Sequence, residues 1–109
     1  MCLVVFLMTT NAAKSSENEM AEICDAIHYI GDMSLEAAAS GFSSDDMILA
    51  VRMNTEGGDP DILAILHPAF DRIIEFAFFN NRFGLSDAAQ RECQVVEQLL
   101  FELVEKESE

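Results

Sequence analysis

Apolar positions recur at helical intervals along most of this chain, and turn residues divide them into segments. The first segment begins where Ser16 and Glu19 have the spacing of a capping box. Apolar residues three or four positions apart follow them: Met20, Ile23, Ile27 and Ile30. Gly31 interrupts the pattern, so we predict that an amphipathic helix ends there.

Two shorter helices are predicted next. One covers residues 34–40 and is followed by a glycine. The other begins at Ser43 or Ser44, and its first turn carries two aspartates, which interact favourably with the helix dipole. The pair Gly57-Gly58 is expected to end it.

The fourth predicted helix has the strongest start signal in the chain. Asp59-Pro60-Asp61 combines an N-cap aspartate, a proline at the first helical position and a further acid. Pro68 falls inside the apolar pattern, so the helix either kinks there or breaks after Leu66 and restarts. The apolar pattern then continues to Gly84.

The segment from Ile73 to Phe83 is apolar nearly all the way round a helix. At roughly 100° per residue, only Asp71, Glu75 and Arg82 line up as a polar stripe. Such a helix must be covered on more than one side. It is either partly core and partly a binding interface, which is our interpretation, or a central helix wrapped by the others.

The last predicted helix is capped by Ser86-Asp87 and has a seam of the coiled-coil kind. Its apolar residues alternate three and four apart: Ala89, Cys93, Val96, Leu100 and Leu103. Together the patterns predict an all-α fold, a small compact bundle of about five helices that forms a dimer. Residues 1–16 would be an N-terminal extension and linker, and residues 17–109 a single helical domain.

The first eight residues are apolar, but they have no basic region before them and are too short to span a bilayer. We expect neither a signal peptide nor a membrane anchor, and Met8 is a plausible alternative start.

The chain has 3 cysteines without a Cys-x-x-Cys spacing, which argues against a disulfide framework and a zinc ribbon. We therefore expect a cytoplasmic protein.

The chain is strongly acidic, with 20 Asp and Glu, 6 Lys and Arg, and a formal charge of -14. Between Glu17 and Asp61, eleven acids and one base give a net charge of -10. Direct binding to nucleic acid or to anionic lipid is disfavoured, because both need a basic face. Hydrophobic residues make up 50% of the chain, so this acidity belongs to a folded surface and not to a disordered tail.

Few residues suggest a metal-binding or catalytic site. Cys24 and His28 have a spacing that can supply two metal ligands, and only the fold could bring His67 and Cys93 near them. The carboxylates form no privileged pair, and no nucleophile motif or phosphate-binding loop is present in the sequence. We therefore predict no metal, no cofactor and no enzymatic activity.

An all-helical, acidic chain with a Phe-rich helix (71–83) and a seam-bearing last helix (86–104) resembles the QslA-type quorum-sensing anti-activators. The resemblance implies a helical homodimer that binds the ligand-binding domain of a LuxR-type transcriptional regulator. By blocking the dimerisation of that regulator, such a protein prevents it from binding DNA.

The apolar patterns favour a protein-binding module, and the resemblance implies that it inhibits a transcriptional regulator by occupying its dimerisation surface. We predict that the binding residues are Ile74, Phe76, Phe78, Phe79, Phe83, Val96, Leu100 and Leu103. The alternative is an acidic DNA mimic, whose carboxylates would imitate phosphates and occupy the basic cleft of a nucleic-acid-binding protein.

Overall fold

The structure is a computed structural model that describes the backbone of residues 2–80 and 82–108 and the side chains of residues 20–80 and 82–106. The described chain forms four helices and contains no strand. Their bounds are α1, Cys2–Ala39; α2, Ser44–Asn54; α3, Pro60–Asn80; and α4, Leu85–Ser108. The predicted all-α class is confirmed, whereas the predicted count of about five helices is wrong.

The count differs because the first two predicted helices are one. Gly31 lies inside α1, where a Cβ would come within 3.3 Å of Leu85 Cδ1 and 3.4 Å of Ile73 Cγ1. Its missing side chain allows neighbouring helices to approach closely and does not end the helix. Ser34, expected to open the next helix, is fully buried, and its hydroxyl donates to the Ile30 carbonyl at 2.7 Å.

Helix α1 also extends further toward the N-terminus than predicted. Its backbone is helical from Cys2, so Ser16 lies within the helix and not at its start. The side chains of Ser16 and Glu19, and those of the apolar opening, fall outside the described residues. The segment expected to be a linker is therefore helical, and the proposed division into extension and domain stays a prediction.

The start signals of α2 and α3 are confirmed, whereas α4 begins at Leu85, so Ser86 and Asp87 lie inside its first turn and do not precede it as predicted. Ser43 caps α2 through a capping box: its Oγ accepts from the Asp46 N–H at 3.1 Å, and its own N–H donates to Asp46 Oδ2 at 3.0 Å. Asp59 precedes α3 and its Oδ1 accepts from the Asp61 N–H at 2.9 Å. Both caps satisfy N–H groups that have no partner within the helix.

Helix α3 continues through Pro68, which resolves the alternative between a kink and a break in favour of one unbroken helix. Pro68 lies on the exposed face of α3. Because proline has no backbone N–H, the carbonyl of Ala64 lacks its usual hydrogen-bond partner within the helix. Ala64 is exposed, so this carbonyl can bond to water.

Helix α3 is the centre of the fold, since it contributes more buried residues than any other helix in the described chain. These six residues are Leu66, Ala69, Phe70, Ile73, Ile74 and Ala77. Helix α4 runs back along α3, with Arg72 bound to Glu92, and α1 packs against both α3 and α4. The apolar residues of the Phe-rich segment are therefore buried or half-buried from 73 to 78 and exposed at 79 and 83.

Candidate protein-binding surface

The eight predicted binding residues do not form one surface. Ile74 and Val96 are fully buried in the core, so neither can touch a partner while the bundle is intact. Four others are half-buried, and the first three of them pack against the core: Phe76, Phe78, Leu100 and Leu103. The seam predicted on α4 is thus largely satisfied within the molecule, by α1 and α3.

The remaining two, Phe79 and Phe83, lie at the turn between α3 and α4. Their side chains are 81% and 88% exposed, more than any other large apolar side chain in the described part of the chain. We refer to Phe79 and Phe83 as the turn pair. Exposed apolar residues scattered singly are ordinary on a protein surface, but two phenylalanines four positions apart at one turn are not.

Gly84, next to Phe83, lies against the core. It has a φ of 73°, a conformation that favours glycine, and directly precedes α4. A Cβ on Gly84 would lie 3.5 Å from Cζ of Phe76, so the ring of Phe76 packs against this residue. The C-terminal end of the turn is therefore in contact with the core.

A second exposed apolar surface, which sequence analysis missed, lies on α2. Leu49 and Met53 are one helical turn apart and both are exposed, as is Phe42 in the preceding loop. Beside them is an open groove of about 340 Å³ lined by Ala37, Phe42, Asp46, Met47 and Ala50. Five consecutive apolar residues, 47–51, were the available signal, because an apolar run of that length goes all the way round a helix.

Acidic side chains form a row along the exposed side of α1. Glu22, Asp25, Asp32 and Glu36 are all exposed, and their spacing places them on one face of the helix. At about 1.5 Å per residue the row is roughly 21 Å long. The ridge and the turn pair lie on different elements, but Asp32 of the ridge lines the same pocket as Arg82, which precedes Phe83.

A polar network joins α2 to α3. Arg52 donates to both carboxylate oxygens of Asp71, at 3.0 and 2.7 Å, and Thr55 Oγ1 lies 2.8 Å from His67 Nε2. Burial lowers the pKa of His67, and the charge of Arg52 lowers it further, outweighing the opposite effect of Asp71. The neutral imidazole is therefore the form that this network favours.

The cysteine and histidine candidates assemble only in part. Cys24 is half-buried, and the fold does bring buried Cys93 to it, whereas His67 lies in the α2–α3 network. Burial raises the pKa of the Cys93 thiol to about 12, with a further contribution from its hydrogen bond to Cys24. Among the described residues, no group of three His, Cys, Asp or Glu side chains is placed to hold a metal ion.

Comparison with known proteins gives no independent assignment: the chain matches no protein-family model, no curated protein and no solved structure. Within the described residues, none of the helices combines the length and apolar character needed to cross a bilayer. Function is therefore inferred from the surfaces described above.

Proposed function

We propose that this chain is a protein-binding module that inhibits a LuxR-type transcriptional regulator by occupying the regulator's dimerisation surface. The observation that carries the proposal is the exposure of the turn pair, Phe79 and Phe83. The class of partner comes from the resemblance to the QslA-type anti-activators.

The energetics favour the turn pair as the anchor of such an interface. Burying a phenylalanine side chain contributes about 1.5–3 kcal/mol, so two nearly bare rings could supply about 3–6 kcal/mol. Aromatic residues dominate interface energies because they bury a large area with few rotatable bonds.

A dimerisation face is a chemically suitable target. Such faces are more apolar than ordinary surface and resemble a domain core cut in half. Apolar side chains such as those of the turn pair suit a dimerisation face. The net charge of -14 disfavours contact with the DNA that the regulator binds. Inhibition by this route requires neither a catalytic residue nor a cofactor.

A binding titration tests the proposal. The purified chain is titrated calorimetrically with the isolated ligand-binding domain of a LuxR-type regulator from the same genome. We expect Phe79→Ser/Phe83→Ser to weaken binding at least about 100-fold, since that factor corresponds to about 2.7 kcal/mol. The matched control is Phe101→Ser on α4, where the ring is 60% exposed. Equal affinity of all three proteins would exclude the turn pair as the anchor.

The homodimer is a further part of the proposal, and we assign it to the α2 surface. A symmetric interface must be self-complementary, and this surface offers both protruding side chains, Leu49 and Phe42, and a groove beside them. Leu49→Ser/Met53→Ser should convert the dimer to a monomer in sedimentation equilibrium. A chain that is monomeric before substitution, or dimeric after it, would contradict this assignment.

The acidic ridge on α1 favours one second candidate, the DNA mimic. A row of carboxylates about 21 Å long could occupy the basic cleft of a nucleic-acid-binding protein. Salt separates the two mechanisms, because a charge-driven complex weakens steeply as ionic strength rises, whereas an apolar one holds. Replacing Glu22, Asp25, Asp32 and Glu36 with the corresponding amides should abolish binding by a mimic and leave binding through the turn pair intact.

A further inference from the structure

Two cysteine thiols meet across the interface between α1 and α4. Cys24 on α1 packs against the buried core to which Cys93 of α4 belongs, and it is near enough to Cys93 to raise the pKa of that thiol. The register of the two helices agrees with this contact. Gly31 faces Leu85, and Cys24 lies two turns back along α1 while Cys93 lies two turns forward along α4, as expected for an antiparallel pair.

Close packing of the two helices favours a covalent link. A disulfide needs Cα atoms about 4.4–6.8 Å apart. Facing Cα atoms can come within that range when helix axes are the usual 8–10 Å apart, because each Cα lies about 2.3 Å from its axis. Small residues line this interface: Gly31 has no side chain and lies against Leu85, and Ala89 lies buried one turn before Cys93.

The two thiols differ in accessibility. Cys24 is half-buried and can be reached from solvent, whereas Cys93 is 2% exposed. The raised pKa of Cys93 keeps its thiol protonated at neutral pH. An oxidant in solution therefore meets Cys24 first, and Cys93 stands in contact with it as the second thiol.

We propose that Cys24 and Cys93 form an intramolecular disulfide when the protein meets a peroxide. Hydrogen peroxide transfers an oxygen atom to the Cys24 sulfur, giving a sulfenic acid and one water. The Cys93 thiol then gives its proton to the hydroxyl group of the sulfenic acid, which leaves as a second water, and the Cys93 sulfur, as a thiolate, forms the bond to the Cys24 sulfur. The two thiols lose two electrons and two protons, and the peroxide is reduced.

The cross-link would enclose residues 25–92, a loop that contains α2 and α3. Closing a loop of this length restricts the unfolded chain strongly, so the oxidised protein should be harder to unfold. We expect its melting temperature to rise by at least about 10 °C, and to return to the original value after reduction.

The test uses the full chain with Cys2→Ser, so that only the paired thiols remain. After treatment with hydrogen peroxide, we expect a mass lower by two hydrogens and no labelling by maleimide in denaturant. A peptide linking the segments around Cys24 and Cys93 should appear after proteolysis. The matched control, with Cys24→Ser added, should keep one thiol that labels in denaturant and gain no thermal stability.

Two results would overturn the proposal. One is the addition of oxygen atoms at Cys24 while Cys93 stays free, which would mean that the two sulfurs cannot reach bonding geometry. The other is a cross-link between two chains in place of one within a chain. Cys93→Ala, which preserves an apolar side chain in the core, checks that any loss of stabilisation reflects the missing disulfide and not a misfolded protein.

Discussion

Substitution of Gly31 distinguishes a packing glycine from a helix-ending glycine. At this position a Cβ would lie 3.3 Å from Leu85 Cδ1, 3.4 Å from Ile73 Cγ1 and 3.5 Å from Leu85 Cδ2. Gly31→Ala gains about 1 kcal/mol of helix propensity and loses a comparable amount to these tight contacts, so its stability should stay within about 1 kcal/mol of the parent.

Gly31→Leu adds three more carbons to space that Leu85 and Ile73 already fill. Alanine and leucine have similar helix propensities, so the difference between the two variants reports packing alone. Overpacking a core costs about 1–3 kcal/mol, and we expect the leucine variant to be less stable than the alanine variant by about 2 kcal/mol. With a urea m-value of about 1.5 kcal/mol/M, the unfolding midpoints should differ by more than about 1 M.

The assay is urea unfolding followed by circular dichroism at one fixed protein concentration, since self-association would make stability concentration-dependent. Gly41 provides the matched control. Its φ is +93° and nothing lies within 4 Å of a Cβ there, so alanine and leucine should cost the same, about 1 kcal/mol each. Equal stabilities of Gly31→Ala and Gly31→Leu would refute the packing role of Gly31 and restore its role as a terminator.

Three further perturbations probe the caps and the α2–α3 network. Ser43→Ala removes the capping box of α2 and should cost about 1 kcal/mol in urea unfolding, and no loss would contradict its role. Burial lowers the pKa of His67 in the folded state. Its contribution to the free energy of unfolding should therefore be fully present above about pH 6.5 and be lost as the pH falls through the lowered pKa. The same decline in His67→Gln would assign it to another group. The Arg52–Asp71 pair, with side chains 37% and 29% exposed, should show a coupling of about 0.5–1 kcal/mol in a double-mutant cycle, and zero coupling would mean that solvent screens it fully.

The parts of the fold that sequence predicted are those with local causes. Ser43 and Asp59 cap their helices through side-chain bonds to residues two or three positions away, so short spacings were enough to place them. Gly31 and Ser34 were misjudged because their roles depend on distant partners. The close approach of Leu85 and the burial of the Ser34 hydroxyl cannot be read from nearby residues.

The exposed binding residues, like the helices, could be predicted from the sequence only in part. The Phe-rich segment indicated an unusual helix, but periodicity could not tell which rings face inward. Packing of α3 against three helices buries Ile74 and partly covers Phe76 and Phe78, and the turn before α4 leaves Phe79 and Phe83 outside. The α2 surface was missed because the sequence analysis used only the start and end signals of this helix and not its apolar run, 47–51.

The oligomeric state of the regulator's ligand-binding domain, measured by size-exclusion chromatography with light scattering, tests whether the chain occupies the dimerisation surface. When the chain is added in excess, we expect the regulator dimer to disappear and a complex containing a single regulator protomer to replace it. With Phe79→Ser/Phe83→Ser the regulator should stay dimeric. A complex in which the regulator dimer survives intact would contradict the claim that the chain occupies the dimerisation surface.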